Sequence, residues 1–420
     1  LTENNKYEHI NQLVSHLFRH EAGKMTAVLA RMFGFDRIEI AEDIVQDTLL
    51  KALNEWRSKI PDNPSAWLYR VAKNQALDLL RREKLFNEIS QELTYFSDHE
   101  ENTLGKLFLS DEIEDSQLRM LFACCHPAIA LESQITLSLK TLAGLNAAEI
   151  ARAFLTTEDT VNKRLYRAKE KIRSESIELE VPQSKELTAR LEAVLKIIYL
   201  IFNEGYSSSY PDQLIRQDLC EDAIRICLLL TRNPVTNQPN TNALLALMCF
   251  QVARFPARID DKGAIVLLQD QDRSLWDNFM TSRAYQFFRL SSAGIEISEY
   301  HIEAAIASYH ASSESFEKTN WEVILRLYNL LADLKPTPFV YLSRAIAKGY
   351  VYGAKVALED LENLYSLNQS YIYHTAKGDL HSELTDYTLA RQCYEKALTL
   401  VRSEPEKRLI EKKLNQIKGL

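Results

Sequence analysis

Glycine and proline are scarce in this chain of 420 residues, with 11 of each. That is too little for a collagen-like or low-complexity chain. Cysteine is scarce too: Cys124, Cys125, Cys220, Cys227, Cys249 and Cys393, with no CxxC pair. Such spacing argues against a disulfide framework and for reduced, intracellular thiols. Cys124-Cys125-His126 invites a metal reading, but adjacent cysteines on a helix diverge by about 100° and rarely reach one ion. No metal or other cofactor is expected. Long apolar runs are also missing. The longest, LEAVLKIIYLIF, is broken by Lys196 and is too short to span a bilayer. The opening residues LTENNKYEHI are polar, unlike a signal peptide. A cytoplasmic protein with no membrane contact is expected. Positive charge is not in excess: 50 Lys and Arg stand against 58 Asp and Glu, a net charge of −8. This argues against non-specific coating of nucleic acid, but it leaves room for basic faces on an acidic body.

What is present is helical periodicity. Residues 41–56, AEDIVQDTLLKALNEW, place Val45, Leu49, Ala52, Leu53 and Trp56 on one apolar face. Glu42, Asp43, Gln46 and Asp47 form an acidic, hydrogen-bonding strip beside it. After RSKIPDNP, a second helix is expected to begin at Asn63-Pro64, an N-cap followed by proline at the first position. Its apolar stripe is Leu68, Val71, Ala72, Ala76 and Leu79. Its opposite face carries Arg70, Lys73, Asn74, Leu77, Arg81 and Lys84. One helix offers carboxylates and the next offers cations. A basic protein surface and a phosphate backbone would suit them.

AEDIVQDTLLKAL followed by AWLYRVAKNQALDLLRR resembles region 2 of a bacterial extracytoplasmic-function sigma factor. An ordinary hairpin with solvated charged faces also fits the charges; the long, ordered match favours the sigma reading. The resemblance implies that Glu42, Asp43, Gln46 and Asp47 dock on core RNA polymerase. It implies that Arg70, Lys73, Asn74, Arg81 and Lys84 melt and read the minus-ten promoter element. An opening helix over residues 9–33, stopped by Gly34, would pack behind them; its His9, His16 and His20 read as surface residues.

Residues 88–115 are dominated by acids, with Lys106 the sole cation, and read as a solvated linker. Two helices broken at Pro127 follow. Then LNAAEIARAFLTTEDTVNKRLYRAKEKIR sets a capping box, Asn146 with Glu149, before Ile150, Ala153 and Phe154. A short turn, Leu155-Thr156-Thr157, leads to a helix with Val161, Leu165, Ala168 and Ile172 on its buried face. Two short helices, the second basic, describe a helix-turn-helix. Thr157, Glu158, Thr160, Lys163, Arg164 and Arg167 are placed to touch bases and phosphates in a major groove. Following a region 2 match, this stretch resembles sigma region 4, which reads the minus-thirty-five element.

The rest reads as an extension. Two long helices flank a Gly205-Tyr206-Ser loop, and residues 241–253 form another helix. A small β-hairpin is expected around Asp261-Lys262-Gly263, with Ile265 to Leu268 β-like. The nearby aspartates, Asp260, Asp261, Asp270, Asp272 and Asp277, are the most enzyme-like feature. The plainer expectation is that Asp270 or Asp272 caps the helix after Trp276 and that Arg273 pairs with Asp260 or Asp261. The chain lacks a phosphate loop, a nucleophile constellation or a metal triad, so no enzyme is expected. YLIFNEGYSSS with PARIDDKGAIVLLQDQDRSLWD resembles the extension of a sigma subgroup with tetratricopeptide-like C-terminal repeats. Gly378, Ala390, Tyr394 and Ala397 hold the small and aromatic positions of such a repeat, although its opening aromatic and leucine are absent and its proline is displaced to Pro405. Stacked repeats form a concave surface suited to a protein or peptide ligand.

The expectation is an all-α protein: a sigma region 2 domain (1–86), an acidic linker (87–116), a region 4 helix-turn-helix domain (117–178), a helical extension with a small hairpin (185–312) and tetratricopeptide-like repeats (313–420). Its partners would be core RNA polymerase and promoter DNA. The alternative is a stand-alone helix-turn-helix regulator with a helical-repeat sensor domain. It gives no use to an acidic strip followed by a basic helix.

Overall fold

A computed structural model describes residues 3–90, 106–154, 156–182, 185–207, 215–260 and 263–418. The described residues are all-α, apart from an isolated antiparallel bridge between Ile259 and Ile265. The expected hairpin is reduced to that bridge: Leu268 belongs to a 3-10 turn, Leu268–Asp270. Asp261 and Lys262 lie outside the described residues. The chain divides into two compact units, Leu1–Ile201 and Phe202–Leu420, and the division falls inside one helix, Lys185–Tyr206.

The first unit opens with α1 (Glu3–Phe33), which ends at Gly34, where φ is +94°. The side chains of His9, His16 and His20 lie outside the described residues. Helix α2 (Ile38–Glu55) buries Val45, Leu49 and Ala52, as the periodicity required, and Trp56 follows them into the core. Helix α3 (Pro64–Ser90) starts as expected: Asn63 Oδ1 accepts from the Ala66 N–H at 3.0 Å. Leu77 departs from its expected place on the basic face and is buried. A leucine beside the seam of a 3.6-residue period turns inward when a neighbouring helix covers it.

Next come α4 (Ser110–Cys124) and α5 (Leu131–Thr141). The turn at Pro127 is held by Gln134, whose Nε2 donates to the carbonyls of His126 and Ile129. The acidic linker is shorter than expected, because its end is helical. Arg31 of α1 holds Glu112 and Asp115 of α4 at 3.0 and 3.1 Å. A nearby cation turned an apparently solvated acid run into a packed helix face. Helices α6 (Ala147–Ala153) and α7 (Glu158–Ser174) form the expected pair of helices, and α8 (Lys185–Tyr206) follows.

In the second unit, α9 (Gln217–Arg232) and α10 (Pro239–Val252) form a tightly buried pair. After the short α11 (Phe255–Arg258) come α12 (Asn278–Ser291), α13 (Glu299–Ser312) and α14 (Trp321–Leu334). Helical hairpins follow: α15 (Pro338–Tyr352) with α16 (Ala354–Leu361), then α17 (Tyr371–Glu383) with α18 (Tyr387–Leu400), ending in α19 (Glu404–Gln416). The small residues explain the closeness of the α17–α18 pair. A Cβ on Gly378 would stand 2.6 Å from the Tyr394 ring, and Ala390 and Ala397 are fully buried. Pro405 sits in the first turn of α19, where its missing N–H costs no helix bond.

Candidate polymerase and DNA interfaces

Helix α2 carries the acidic strip on its uncovered side. Asp43, Gln46 and Asp47 are exposed. Glu42 is not: its side chain is 15% exposed, and Oε2 accepts from Lys169 Nζ at 2.8 Å. Glu39, one turn earlier, meets Arg173 at 2.6 Å and Lys169 at 3.6 Å. Partial burial pulls Glu39 upward. Its backbone hydrogen bond and the two cations outweigh that, and its carboxyl titrates below the ordinary value.

On α3, Arg70, Asn74 and Arg81 are exposed, and Lys73 is half-buried. Arg81 pairs with Asp78 at 3.2 Å. The Lys84 side chain lies outside the described residues. The turn between α2 and α3 adds a feature the sequence reading missed. A concavity of about 770 Å³ is lined by Trp56, Lys59, Asn63, Trp67, Arg70 and neighbouring residues. Trp67 meets Trp56 edge to face, with ring centroids 5.4 Å apart. Trp67 and Arg70 are three residues apart and so share one helix face. An aromatic at that spacing from a cation was visible in the sequence.

The α6–α7 pair is capped as its sequence indicated. Asn146 and Glu149 cap each other reciprocally, at 2.8 and 2.9 Å. Thr157 caps α7 by accepting from the Thr160 N–H, and the two hydroxyls lie 2.9 Å apart. Both threonines are therefore committed to the helix start. Val161, Leu165, Ala168 and Ile172 are buried. Ala153 and Leu155 lie outside the described side chains. Glu158, Lys163 and Arg167 are exposed, Arg164 is half-buried, and Lys163 pairs with Asp159. Thr160, Lys163, Arg164, Arg167 and Lys171 line a groove of about 490 Å³ against the start of α5. One side of α7 thus gathers cations. Lys169 and Arg173, on another side, face α2.

The aspartates of the second unit do structural work. Asp272 Oδ1 accepts from the Ser274 N–H, and Asp277 caps α12 by accepting from the Met280 N–H. Asp260 Oδ1 accepts from the Ala264 N–H at the bridge. Arg273 was expected beside Asp260 or Asp261, the latter outside the described residues. It donates to the carbonyls of His310 and Ser313 and lies over the Trp276 ring at 4.9 Å. The carbonyl end of α13 is a partial negative charge that attracts a guanidinium as a carboxylate would. Among the described residues no group of His, Cys, Asp and Glu is arranged to hold a metal. Cys124 and Cys125 are buried, and burial pushes the Cys124 thiol up to about 12. Among the described residues no helix is long and apolar enough to cross a membrane.

Sigma-70 region 2 matches residues 17–86, the stretch that holds α2, most of α3 and the concavity between them. This defines the class: the N-terminal part carries the sigma-70 region that implies core RNA polymerase and promoter DNA as partners. A family of unknown function (DUF6596) matches residues 190–292, which run from α8 through α12. The uncharacterized protein R00370 of Rhizobium meliloti (strain 1021) is 36% identical over 386 residues, 91% of this chain and 91% of that protein. The chain belongs to the same family as that protein. No solved structure matches it.

Proposed function

We propose that the chain is a sigma factor of the extracytoplasmic-function type, which gives core RNA polymerase its promoter recognition and promoter opening. The observation that carries the reading is the sequence of surfaces along α2 and α3. An exposed acidic strip, Asp43, Gln46 and Asp47, is followed by a cationic helix face that opens onto an aromatic concavity. The strip suits a basic polymerase surface. The concavity suits an unstacked base beside a phosphate backbone, since single strands are held by cations and aromatic faces together. Arg70, Lys73, Asn74, Arg81 and Lys84 would serve the minus-ten element. Thr157, Glu158, Thr160, Lys163, Arg164 and Arg167, on the groove side of α7, would serve the minus-thirty-five element. Such a protein is an initiation factor and not an enzyme.

The extension from residue 185 onward is read as tetratricopeptide-like, on the strength of its helical hairpins and the Gly378–Tyr394 packing. It would position or dock the promoter-reading modules, or bind a protein segment of its own. The test is run-off transcription with purified core polymerase over genomic fragments. Wild type should give discrete starts. Reversing Asp43 and Asp47 to Lys should abolish co-elution with core enzyme while the protein stays folded. Retained co-elution would remove α2 from the interface. A chain ending at residue 201, in the same assay, separates a required extension from a dispensable one.

A further inference from the structure

In the second unit, positive charge and unpaired donors gather at one place. Arg254 lies between α10 and α11, Arg273 opens the 3-10 turn Arg273–Leu275, and Trp276 follows that turn. Both guanidiniums sit over the Trp276 ring, 5.6 and 4.9 Å from its centroid. His310, near the end of α13, accepts from Arg273 Nη1 through its backbone carbonyl, as does Ser313. Arg254 donates to Gln271 Oε1 at 3.2 Å and to Gln251 Oε1 at 3.3 Å. All of these acceptors are neutral. Among the described residues neither arginine forms an ion pair with a carboxylate. Glu317, the acid whose field reaches Arg273, is exposed. Burial and the neighbouring Arg254 charge both pull the Arg273 guanidinium below its ordinary value.

Three polar atoms of this cluster are buried without a hydrogen-bond partner: Arg273 Nη2, Trp276 Nε1 and His310 Nδ1. Trp276 as a whole is 7% exposed. Guanidinium and indole nitrogens can only donate. Buried donors are ordinarily paired, and a buried charge is ordinarily matched by a counter-ion. Here two like charges share one ring and the free donors beside them have nothing to meet. One oxyanion answers both deficits. It would accept from the guanidinium and the indole together and offset part of the positive charge. His310 Nδ1 would join in the tautomer that carries its proton there. A metal ion would be repelled, and a neutral acceptor would leave the charge unmatched. Because the three atoms lie out of reach of solvent, the fitting ligand presents one small anionic group to them. It would arrive from the side of the turn, where Ser274 and Leu275 are exposed.

We propose that Arg254, Arg273, Trp276 and His310 form a binding site for a small oxyanion, the phosphate or carboxylate group of a small molecule. The site lies wholly in the second unit, does not rest on the sigma reading, and is testable without polymerase or DNA.

The experiment is isothermal titration calorimetry of the full-length chain with two probes, inorganic phosphate and acetate, at an ionic strength held constant with chloride. At least one probe should bind saturably, near one equivalent per chain, and the tighter of the two identifies the group the site takes. Trp276→Phe keeps a ring beneath the guanidiniums and removes the N–H. It should weaken that probe by about tenfold or more, the equivalent of one charge-assisted hydrogen bond. Arg273→Gln should weaken it at least as much. Should Arg273→Gln not fold, Arg254→Gln takes its place, since it removes a charge and leaves the carbonyls of His310 and Ser313 with their donor. The same probe should raise the Tm of wild type by more than that of either folded variant, because a ligand stabilises only the chain that holds its site. No saturable binding of either probe overturns the proposal. Saturable binding that is unchanged in folded Trp276→Phe and in the folded arginine variant overturns it equally, because the anion would then sit elsewhere.

Discussion

Replacing Trp67 by alanine should uncouple promoter opening from promoter binding. Trp67 is half-buried at the mouth of the concavity between α2 and α3, edge-on to Trp56 and on the same face as Arg70. Stacking of one unpaired base on an aromatic face is worth about 1–3 kcal/mol, or roughly 5- to 150-fold in affinity. The substitution also removes the edge-to-face pair, about 0.5–1.5 kcal/mol. Some loss of folding stability will therefore accompany it, and Trp67→Phe is the control, since it keeps a ring face. The assay is permanganate footprinting of the opened strand by the assembled holoenzyme, beside filter binding to the same promoter as closed duplex. Opening should fall in the order wild type, Trp67→Phe, Trp67→Ala, while duplex binding through α7 stays level. Equal loss of duplex binding and opening would trace the effect to stability. No loss of opening in Trp67→Ala would refute the stacking argument.

Single alanine substitutions at Lys163, Arg164 and Arg167, tested against a series of upstream promoter mutations, should sort into two kinds. A base contact loses about 1–3 kcal/mol of discrimination at one position, whereas a phosphate contact weakens all sequences alike and lowers the salt slope. If none changes affinity or selectivity, α7 does not read DNA. Gly378→Val should destabilise the second unit by about 1–3 kcal/mol through overpacking against Tyr394, measured as a lower denaturation midpoint; an unchanged midpoint would show that the α17–α18 pair can spread at no cost. The stability of the second unit should fall as pH drops from 6.5 toward about 4. His310 is held to about 4 by burial and by Arg254 and Arg273, so the unfolded chain takes up its proton first. Denaturant titrations over that range should show the slope in wild type and a shallower one in His310→Gln; equal slopes would assign the dependence elsewhere.

Local chemistry explains why much of this was readable from sequence. A capping box, a proline after an asparagine N-cap and a 3.6-residue apolar stripe act over a few residues, and each formed where its letters stood: Asn146 with Glu149, Asn63 before Pro64, and Val161 to Ile172. The exposure of Asp43, Asp47, Arg70 and Lys163 followed from the same periodicity. Tertiary structure decided whatever depends on a partner distant in sequence. Glu112 and Asp115 read as solvated until Arg31 reached them, and Glu42 read as exposed until Lys169 covered it. Arg273 found helix-end carbonyls where a nearby aspartate was expected, because carbonyls at a helix terminus form an electrostatic site that no single residue letter encodes. Gly23 makes the difference plainest. In the sequence it is one weak residue within a helix. In the folded unit it is where the Leu142 carbonyl lies against the backbone of α1, because a Cβ there would stand 2.4 Å from that oxygen.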